Sequence, residues 1–382
     1  MHTRILDKLI CPNTHLQPLL LFALEINRNQ QILSNPDNTS LQPLDDVKTG
    51  LLYTADKKNI YFIHEFIPIL LNDTDQDLNH IKSIYQEVGN RLPDEFKQAI
   101  EQTFSKIESK NLSADGNWNR EEMKYYDAAV DTPELRAKML NSIQRENLWR
   151  IFIPRKEEMI NHFETNCKGQ WIFEIGCGNA RTVARMFNPI KFNFNYIGTD
   201  ISFKRLMVAK MAIPESDFIQ ASALNIPIKN NSFNGAISFG MLHHLPRPAE
   251  AVTEVNKKLL QGAIFSYHEP VYTSRQFSEK QSAIVRKVFR TYDHSDHDNK
   301  INLKESLAAL KEANHQIVSI VPYNSVFRVV FEAIINRFYK SWQKSKLVMK
   351  SVLIIDNILL KTIVRLSNKL GPQAIIVVSK KL

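Results

Sequence analysis

The chain has few cysteines, no long uninterrupted apolar run and no phosphate-binding loop, and each shortage removes a class of protein. Only Cys11, Cys167 and Cys177 occur among 382 residues. Three scattered thiols exclude a disulfide framework, so a reducing, cytoplasmic setting is expected. The amino-terminal stretch meets Pro12 before any long apolar run, and Leu19 to Leu24 is short and lacks a cleavage-site pattern. No signal peptide is expected on that ground. Near the other end, Lys350, Asp356 and Lys361 interrupt the longest apolar stretch, so it is not read as a bilayer span. Internal repeats and low-complexity tracts are also absent. What is present is ample core material: 43% of the residues are hydrophobic, enough at this length for two or three domains.

Charge is unevenly placed. The formal net charge is +9, and residues 327–382 hold eleven Lys and Arg against only Glu332 and Asp356. The whole of the net positive charge therefore belongs to one carboxyl-terminal block. Such a block points to a particular surface rather than to general nucleic-acid affinity.

The strongest local signal is Trp171-Ile-Phe-Glu-Ile-Gly-Cys-Gly178 followed by a helical segment to Phe187. This is strand, glycine turn, helix, a geometry that lets a ligand approach the backbone closely. A dinucleotide fingerprint needs a third glycine where Arg181 stands, and Glu174 just before the turn would repel phosphate. The Gly-x4-Gly-Lys-Ser loop is missing as well. The turn suits a ligand without phosphate and with positive charge, a description that S-adenosylmethionine meets through its sulfonium and ammonium groups. A second anchor, Asp200, ends the next strand 24 residues after Gly176. An acid in that place accepts hydrogen bonds from ribose hydroxyls in doubly wound folds.

Strands and helices alternate from residue 161 onward. Strands at 171–175, 196–199, 217–220, 235–239 and 263–267 are interleaved with helices at 179–187, 203–212 and 248–259. A helix at 303–313 and strands at 316–321 and 374–378 complete the set. The pattern predicts an α/β fold with a parallel, doubly wound sheet. Residues 323–370 separate the last two strands by far more than a usual loop and are expected to form a helical insertion. Upstream, residues 76–160 read as a helical connector or cap, with helices over Leu78–Val88, Pro93–Leu112 and Pro133–Phe163 and a break at Ser113–Asn117. Tyr125, Tyr126 and Asp127 lie there, and the aromatic pair is read as packing the helix onto the sheet. Residues 1–75 read as a small β-rich domain with a hairpin from Gly50-Leu-Leu-Tyr53 to Ile60-Tyr-Phe-Ile-His64 across Asp56-Lys57-Lys58. The expected domains are thus 1–75, 76–160 and 161–382.

Two resemblances attach to these residues. Phe173-Glu-Ile-Gly-Cys-Gly178, Gly198-Thr-Asp-Ile201, Ala223-Leu-Asn-Ile-Pro227, Asn231-Ser-Phe-Asn234, Met241-Leu-His-His-Leu-Pro246 and Ser266-Tyr-His-Glu-Pro270 resemble the class I S-adenosylmethionine-dependent methyltransferases, which have a Rossmann-like sheet. The likeness is greatest to the group that includes quinone and other small-molecule enzymes. It covers about 165–322 and the last strand. It implies S-adenosyl-L-methionine as cofactor, held by Glu174, Gly176, Cys177, Gly178, Asp200, Ile201, Ser222, Ala223 and Gly240. Gly176 and Gly178 would line the methionine part, Asp200 the ribose, Ile201 the adenine face and Ser222 the adenine amino group. The family often has Asp at positions 222 and 234, where this chain has Ser222 and Asn234; a serine can still accept one hydrogen bond there. The second resemblance lies in Leu6-Asp-Lys-Leu-Ile-Cys-Pro12, Gly50-Leu-Leu-Tyr53 and Ile67-Pro-Ile-Leu-Leu71. These resemble the small zinc-ribbon-like family that activates or is fused to tRNA and rRNA methyltransferases. Zinc-binding members carry Cys-Pro-x-Cys and a second Cys pair. Here Cys11, His15 and His64 fall short of four ligands, so no metal is expected.

Methyl transfer releases a neutral thioether, and a base helps only when the acceptor is a hydroxyl or a protonated amine. His243, His244 and His268 stand at the carboxyl ends of predicted strands and are the candidate catalytic bases, each weighed against a structural role. Asp293-His-Ser-Asp-His-Asp298 is read as a capping loop rather than a metal site, since no third His or Cys converges on His294 and His297. Residues 327–370 set Val, Ile, Leu and Phe against Lys and Arg. That is the pattern either of basic amphipathic helices at an anionic membrane, here the inner face, or of helices packed on the sheet. The expected acceptor is a small or lipid-linked molecule. The alternatives are an rRNA or tRNA base methyltransferase, disfavoured because the tail lacks aromatic stacking platforms, and a non-catalytic binding protein.

Overall fold

The computed structural model of the chain describes residues 1–110, 114–144, 156–186, 193–272, 301–323 and 374–382, with isolated positions at 351, 354, 355 and 358. Two compact units emerge. One comprises Met1–Gln144, Trp171–Ala184 and Phe194–Ser232; the other comprises Arg145–Gln170, Arg185–Asn193 and Phe233–Leu382.

The first unit opens with an antiparallel sheet of β1 (Leu20–Arg28), β2 (Gln31–Ser34), β3 (Asp46–Tyr53), β4 (Ile60–His64) and β5 (Ile67–Pro68), in the order β2-β1-β3-β4-β5. The expected hairpin is there, with Tyr53 opposite Ile60 and Gly50 opposite Ile63. Gly50 is needed because a Cβ would lie 2.6 Å from the Phe22 carbonyl oxygen on β1. A 3-10 helix, Thr3–Lys8, precedes this sheet and buries Ile5.

Helices follow. α1 (Leu78–Val88) starts at Asp77, whose carboxylate accepts from the Asn79 N–H, and it buries Ile81, Ile84 and Val88. α2 (Asp94–Ser109) has Asp94 and Glu95 in its first turn and buries Phe96, Ile100, Phe104 and Ile107 at helical spacing. Of the expected break at 113–117, residues 114–117 are instead the first turn of α3 (Ala114–Ala128), and Ser113 lies outside the described residues. Gly116 costs that helix about 1 kcal/mol relative to alanine, and tertiary contacts along one face offset it. α4 (Pro133–Gln144) buries Ile143 against Val130 and Val208.

Three parallel strands complete this unit. β6 (Trp171–Ile175) pairs with β7 (Asn195–Asp200), and β7 pairs with β8 (Asp217–Gln220). α7 (Phe203–Ala212) joins β7 to β8 and is capped by the Ser202 hydroxyl, which accepts from the Arg205 N–H at 3.2 Å. The antiparallel sheet continues directly onto β8. Ile69 bridges Gln220 in parallel, the Leu70 N–H donates to the Gln220 carbonyl at 2.9 Å, and the His2 N–H donates to Asp217 at 2.7 Å. Lys210 of α7 also reaches Asp46 of β3 at 2.8 Å.

The second unit holds α5 (Lys156–Cys167), β9 (Phe233–Phe239), α8 (Pro248–Lys258), β10 (Leu259–Tyr272), β11 (Ile301–Asn302), α9 (Leu303–Glu312), β12 (His315–Tyr323) and β13 (Ala374–Lys381). β9 and β10 are parallel, as alternation predicts. The last strands depart from it, because β13 lies between β10 and β12 and is antiparallel to both. An antiparallel neighbour requires no right-handed crossover helix, so the residues between β12 and β13 can make any return path. The short helix α6 (Arg181–Met186) follows β6 in the chain. Almost all of the expected insertion at 323–370, and the whole loop at Asp293–Asp298, lie outside the described residues. Among the described residues no helix is long and apolar enough to cross a membrane.

Candidate functional site

β6 ends in the glycine turn. Gly176 and Gly178 have φ of 64° and 54°, the left-handed region where a side chain is disfavoured, which is why glycine occupies both. The turn is held by the Cys177 N–H, which donates to the Thr199 carbonyl of β7 at 3.0 Å. The Cys177 side chain fills the space beneath. A Cβ on Gly198 would come within 2.8 Å of its sulfur, so the glycine of Gly198-Thr-Asp200 makes room for the cysteine. Burial pushes the Cys177 thiol well above its usual range, so it serves as packing volume rather than as a nucleophile.

Asp200 fastens the turn to β7. Its Oδ2 accepts from the Gly178 N–H at 2.7 Å, and its Oδ1 accepts from the Ser202 N–H at 2.9 Å. An ionised carboxylate has about four lone-pair sites, so two backbone bonds leave acceptor capacity for a diol such as ribose. The residues present therefore fit an adenosyl ligand: a left-handed glycine turn beside an oriented acid. Ile201 and Ser222 follow the carboxyl ends of β7 and β8, with Ala223 next to Ser222. The Ile201 carbonyl is held by Gln220 Nε2 at 2.9 Å, and the Ser222 hydroxyl accepts from the Leu224 N–H at 3.3 Å.

Glu174 has surroundings the motif does not suggest. Its carboxyl group is wholly buried and accepts from the Tyr196 hydroxyl at 2.5 Å. Desolvation pushes its pKa up to about 8. At neutral pH the acid is thus mostly protonated in the ligand-free chain.

Two further groups line this side. The Arg205 guanidinium sits 4.7 Å from the centre of the Tyr126 ring, and its Nη2 would lie 2.8 Å from a Cβ on Gly178. Asp127 accepts from the Ser202 hydroxyl, and from the Lys204 N–H at 3.3 Å, which docks the end of α3 on the start of α7. Tyr126 is therefore a partner for a cation as well as a packing aromatic.

In the second unit β9 and β10 deliver the histidines. Gly240, with φ of 61°, turns the chain after β9, and its N–H donates to the His268 carbonyl at 2.8 Å. His243 is buried, and its Nδ1 lies 2.7 Å from Glu269 Oε2. The other oxygen of Glu269 accepts from the Met241 and Leu242 N–H groups, both at 3.0 Å. His244 is half-buried, with its ring centre 4.0 Å from that of His243. His268 faces Phe239, with ring centres 6.4 Å apart. The three histidines therefore differ: His243 has an orienting carboxylate, His244 stacks on it, and His268 packs beside an aromatic ring.

Glu269, Arg205 and Tyr196 are missing from the sequence-derived site. Glu269 had a visible signal, a carboxylate beside a histidine at a strand end. Arg205 and Tyr196 had none, since helix and strand spacing alone does not tell which neighbour a side chain meets. Cys11 lies buried, with its sulfur 3.3 Å from the Tyr61 hydroxyl. Among the described residues, His2, Asp46 and Asp217 are close enough together to invite a cation, but Lys210 at 2.8 Å already neutralises Asp46.

Comparison with known proteins bears on the same stretch. Residues 173–267 match the methyltransferase domain family. Over 178 residues, covering 44% of this chain and 52% of the relative, the chain is 24% identical to the methyltransferase phqN of Penicillium fellutanum. It is 32% identical over 102 residues, 26% of this chain and 35% of the relative, to the tRNA (carboxymethyluridine(34)-5-O)-methyltransferase of Saccharomyces cerevisiae. A fatty-acid O-methyltransferase of Mycolicibacterium smegmatis is 26% identical over 110 residues, 27% of this chain and 38% of that protein. The chain thus spans about half or less of the length of these relatives.

Proposed function

We propose that the whole chain, built around this methyltransferase domain, transfers the methyl group of S-adenosylmethionine to an oxygen atom of a small or lipid-linked acceptor. The observation that carries a base-assisted transfer is the buried His243–Glu269 pair, with Nδ1 and Oε2 at 2.7 Å; the choice of oxygen over a protonated amine rests on the relatives named below. A carboxylate on Nδ1 keeps the proton on that nitrogen and leaves Nε2 basic, the arrangement of a general base. Bound S-adenosylmethionine would supply an electrophilic methyl group and leave as a neutral thioether.

The chain's own residues have three tasks in this reading. Gly176 and Gly178 admit the donor close to the backbone, and Asp200 orients its ribose. His243 Nε2 takes the acceptor hydroxyl proton as the oxygen–methyl bond forms and the sulfur–methyl bond breaks, so no charge is stranded on oxygen. Glu269 then stabilises the imidazolium that results. The Saccharomyces and Mycolicibacterium relatives, both O-methyltransferases by name, support oxygen as the target. The amphipathic, basic 327–370 segment supports a lipid-linked acceptor reached from an anionic membrane surface.

The direct test is mass spectrometry of a cell extract incubated with the chain and deuteromethyl-labelled donor. A labelled ether or ester in the small-molecule or lipid fraction is expected. A second reading, methylation of RNA, draws on the tRNA-modifying relative; label in the RNA fraction, with binding that falls steeply with salt, would favour it instead. Donor binding without any labelled product would favour a non-catalytic role.

A further inference from the structure

α3 lies across the carboxyl ends of β7 and β8, and it does so along one stripe. Asp127 accepts from the Ser202 hydroxyl, Met123 Sδ receives Gln220 Nε2 at 3.8 Å, and Asn119 Nδ2 reaches Ser222 Oγ at 3.5 Å. Residues 119, 123 and 127 are four apart and share a helix face. That face meets the residues after β7 at one end and those after β8 at the other.

The strand order gives the stripe a chemical meaning. A ligand that enters at the glycine turn after β6 and sets its ribose on Asp200 after β7 has its base over the next strand end, that of β8. Ser222 stands there with a single hydroxyl, already accepting from the Leu224 N–H and from Asn119. Asn119 is buried, 3% exposed. Its bond to Ser222, at 3.5 Å, is at the long limit for a hydrogen bond and is weak enough to exchange. A carboxamide presents an acceptor and a donor side by side, which matches the amino group and adjacent ring nitrogen of adenine.

We infer that Asn119, on a helix outside the matched 173–267 stretch, reads the adenine edge of the methyl donor. The carbonyl accepts from the exocyclic amine, and the amide N–H exchanges its long bond to Ser222 for one to a ring nitrogen. α3 is then the wall that closes the nucleoside side of the site. The inference rests on the methyl-donor reading and adds a residue to it.

The test is calorimetry of the full chain with S-adenosylhomocysteine and with S-inosylhomocysteine, which has a carbonyl where adenine has its amine. The unaltered chain should prefer the adenosyl ligand, and Asn119→Ala should lower its affinity by roughly tenfold while bringing the ratio of the two affinities close to one. Asn119→Asp, which keeps an acceptor for the amine, should retain most of the preference. A ratio measured on a single sample does not depend on how much of that sample is folded. An Asn119→Ala ratio equal to that of the unaltered chain overturns the inference alone. No binding of either ligand by the unaltered chain overturns the methyl-donor reading, and the inference with it.

Discussion

Glu269 is wholly buried and holds three partners, with His243 Nδ1 at 2.7 Å on one oxygen and the N–H groups of Met241 and Leu242 at 3.0 Å on the other. One carboxylate therefore sets both the ring tautomer of His243 and the path of the loop that carries it. Glu269→Gln keeps an oxygen for the backbone donors but offers His243 an N–H. The ring must then turn its basic nitrogen inward. We expect kcat to fall by about a hundredfold or more with donor binding unchanged, as read by steady-state kinetics beside calorimetry.

Asp200 joins the glycine turn to β7 through Gly178. Asp200→Ala leaves the Gly178 and Ser202 N–H groups without their acceptor and removes the acid proposed to hold ribose. We expect a loss of about 1–3 kcal/mol in urea unfolding and at least tenfold weaker S-adenosylmethionine binding by calorimetry. Donor binding at full strength in a folded Asp200→Ala chain would contradict the site.

Glu174 makes stability depend on pH. Its folded pKa of about 8 lies above the ordinary value of 4.5, so between those limits the folded chain keeps a proton that the unfolded chain has lost. Unfolding releases that proton, and the group's contribution is full below about pH 4.5 and declines as pH rises to 8. Urea midpoints measured from pH 5 to 9 should show a falling component that Glu174→Gln abolishes.

Arg205 places a guanidinium above Gly178, near where a sulfonium would arrive. The donor is cationic at sulfur and its product is not. Arg205→Met should raise affinity for S-adenosylmethionine relative to S-adenosylhomocysteine by roughly fivefold at low ionic strength, with the gain shrinking as salt is added. Parallel titrations of the two ligands at two salt concentrations give the answer.

Gly198 accommodates Cys177, and a methyl there would also stand 2.9 Å from the Phe218 ring. Gly198→Ala should cost about 1–3 kcal/mol by thermal or urea unfolding, and Cys177→Ala should recover part of it.

Local pattern carried much of this molecule. The hairpin at 50–64, the order of strand and helix from 171 to 267, and the turn at Gly176 and Gly178 follow from short-range rules of spacing, backbone freedom and capping. The neighbourhood that gives each site residue its chemistry did not follow. Glu174 reads as a carboxylate beside a turn and is a buried, mostly protonated acid on Tyr196. Ser113–Asn117 reads as a break, yet Ala114 begins the helix that carries Asn119.

By itself, the sequence determined a methyltransferase domain, its glycine turn and its acid, because φ preferences and strand spacing are written residue by residue. Only the tertiary structure decided that Glu269 orients His243, that Arg205 shares the turn with Tyr126, and that β13 runs against its neighbours. Those depend on which distant segments meet and on what burial does to their charge, and no local pattern encodes either.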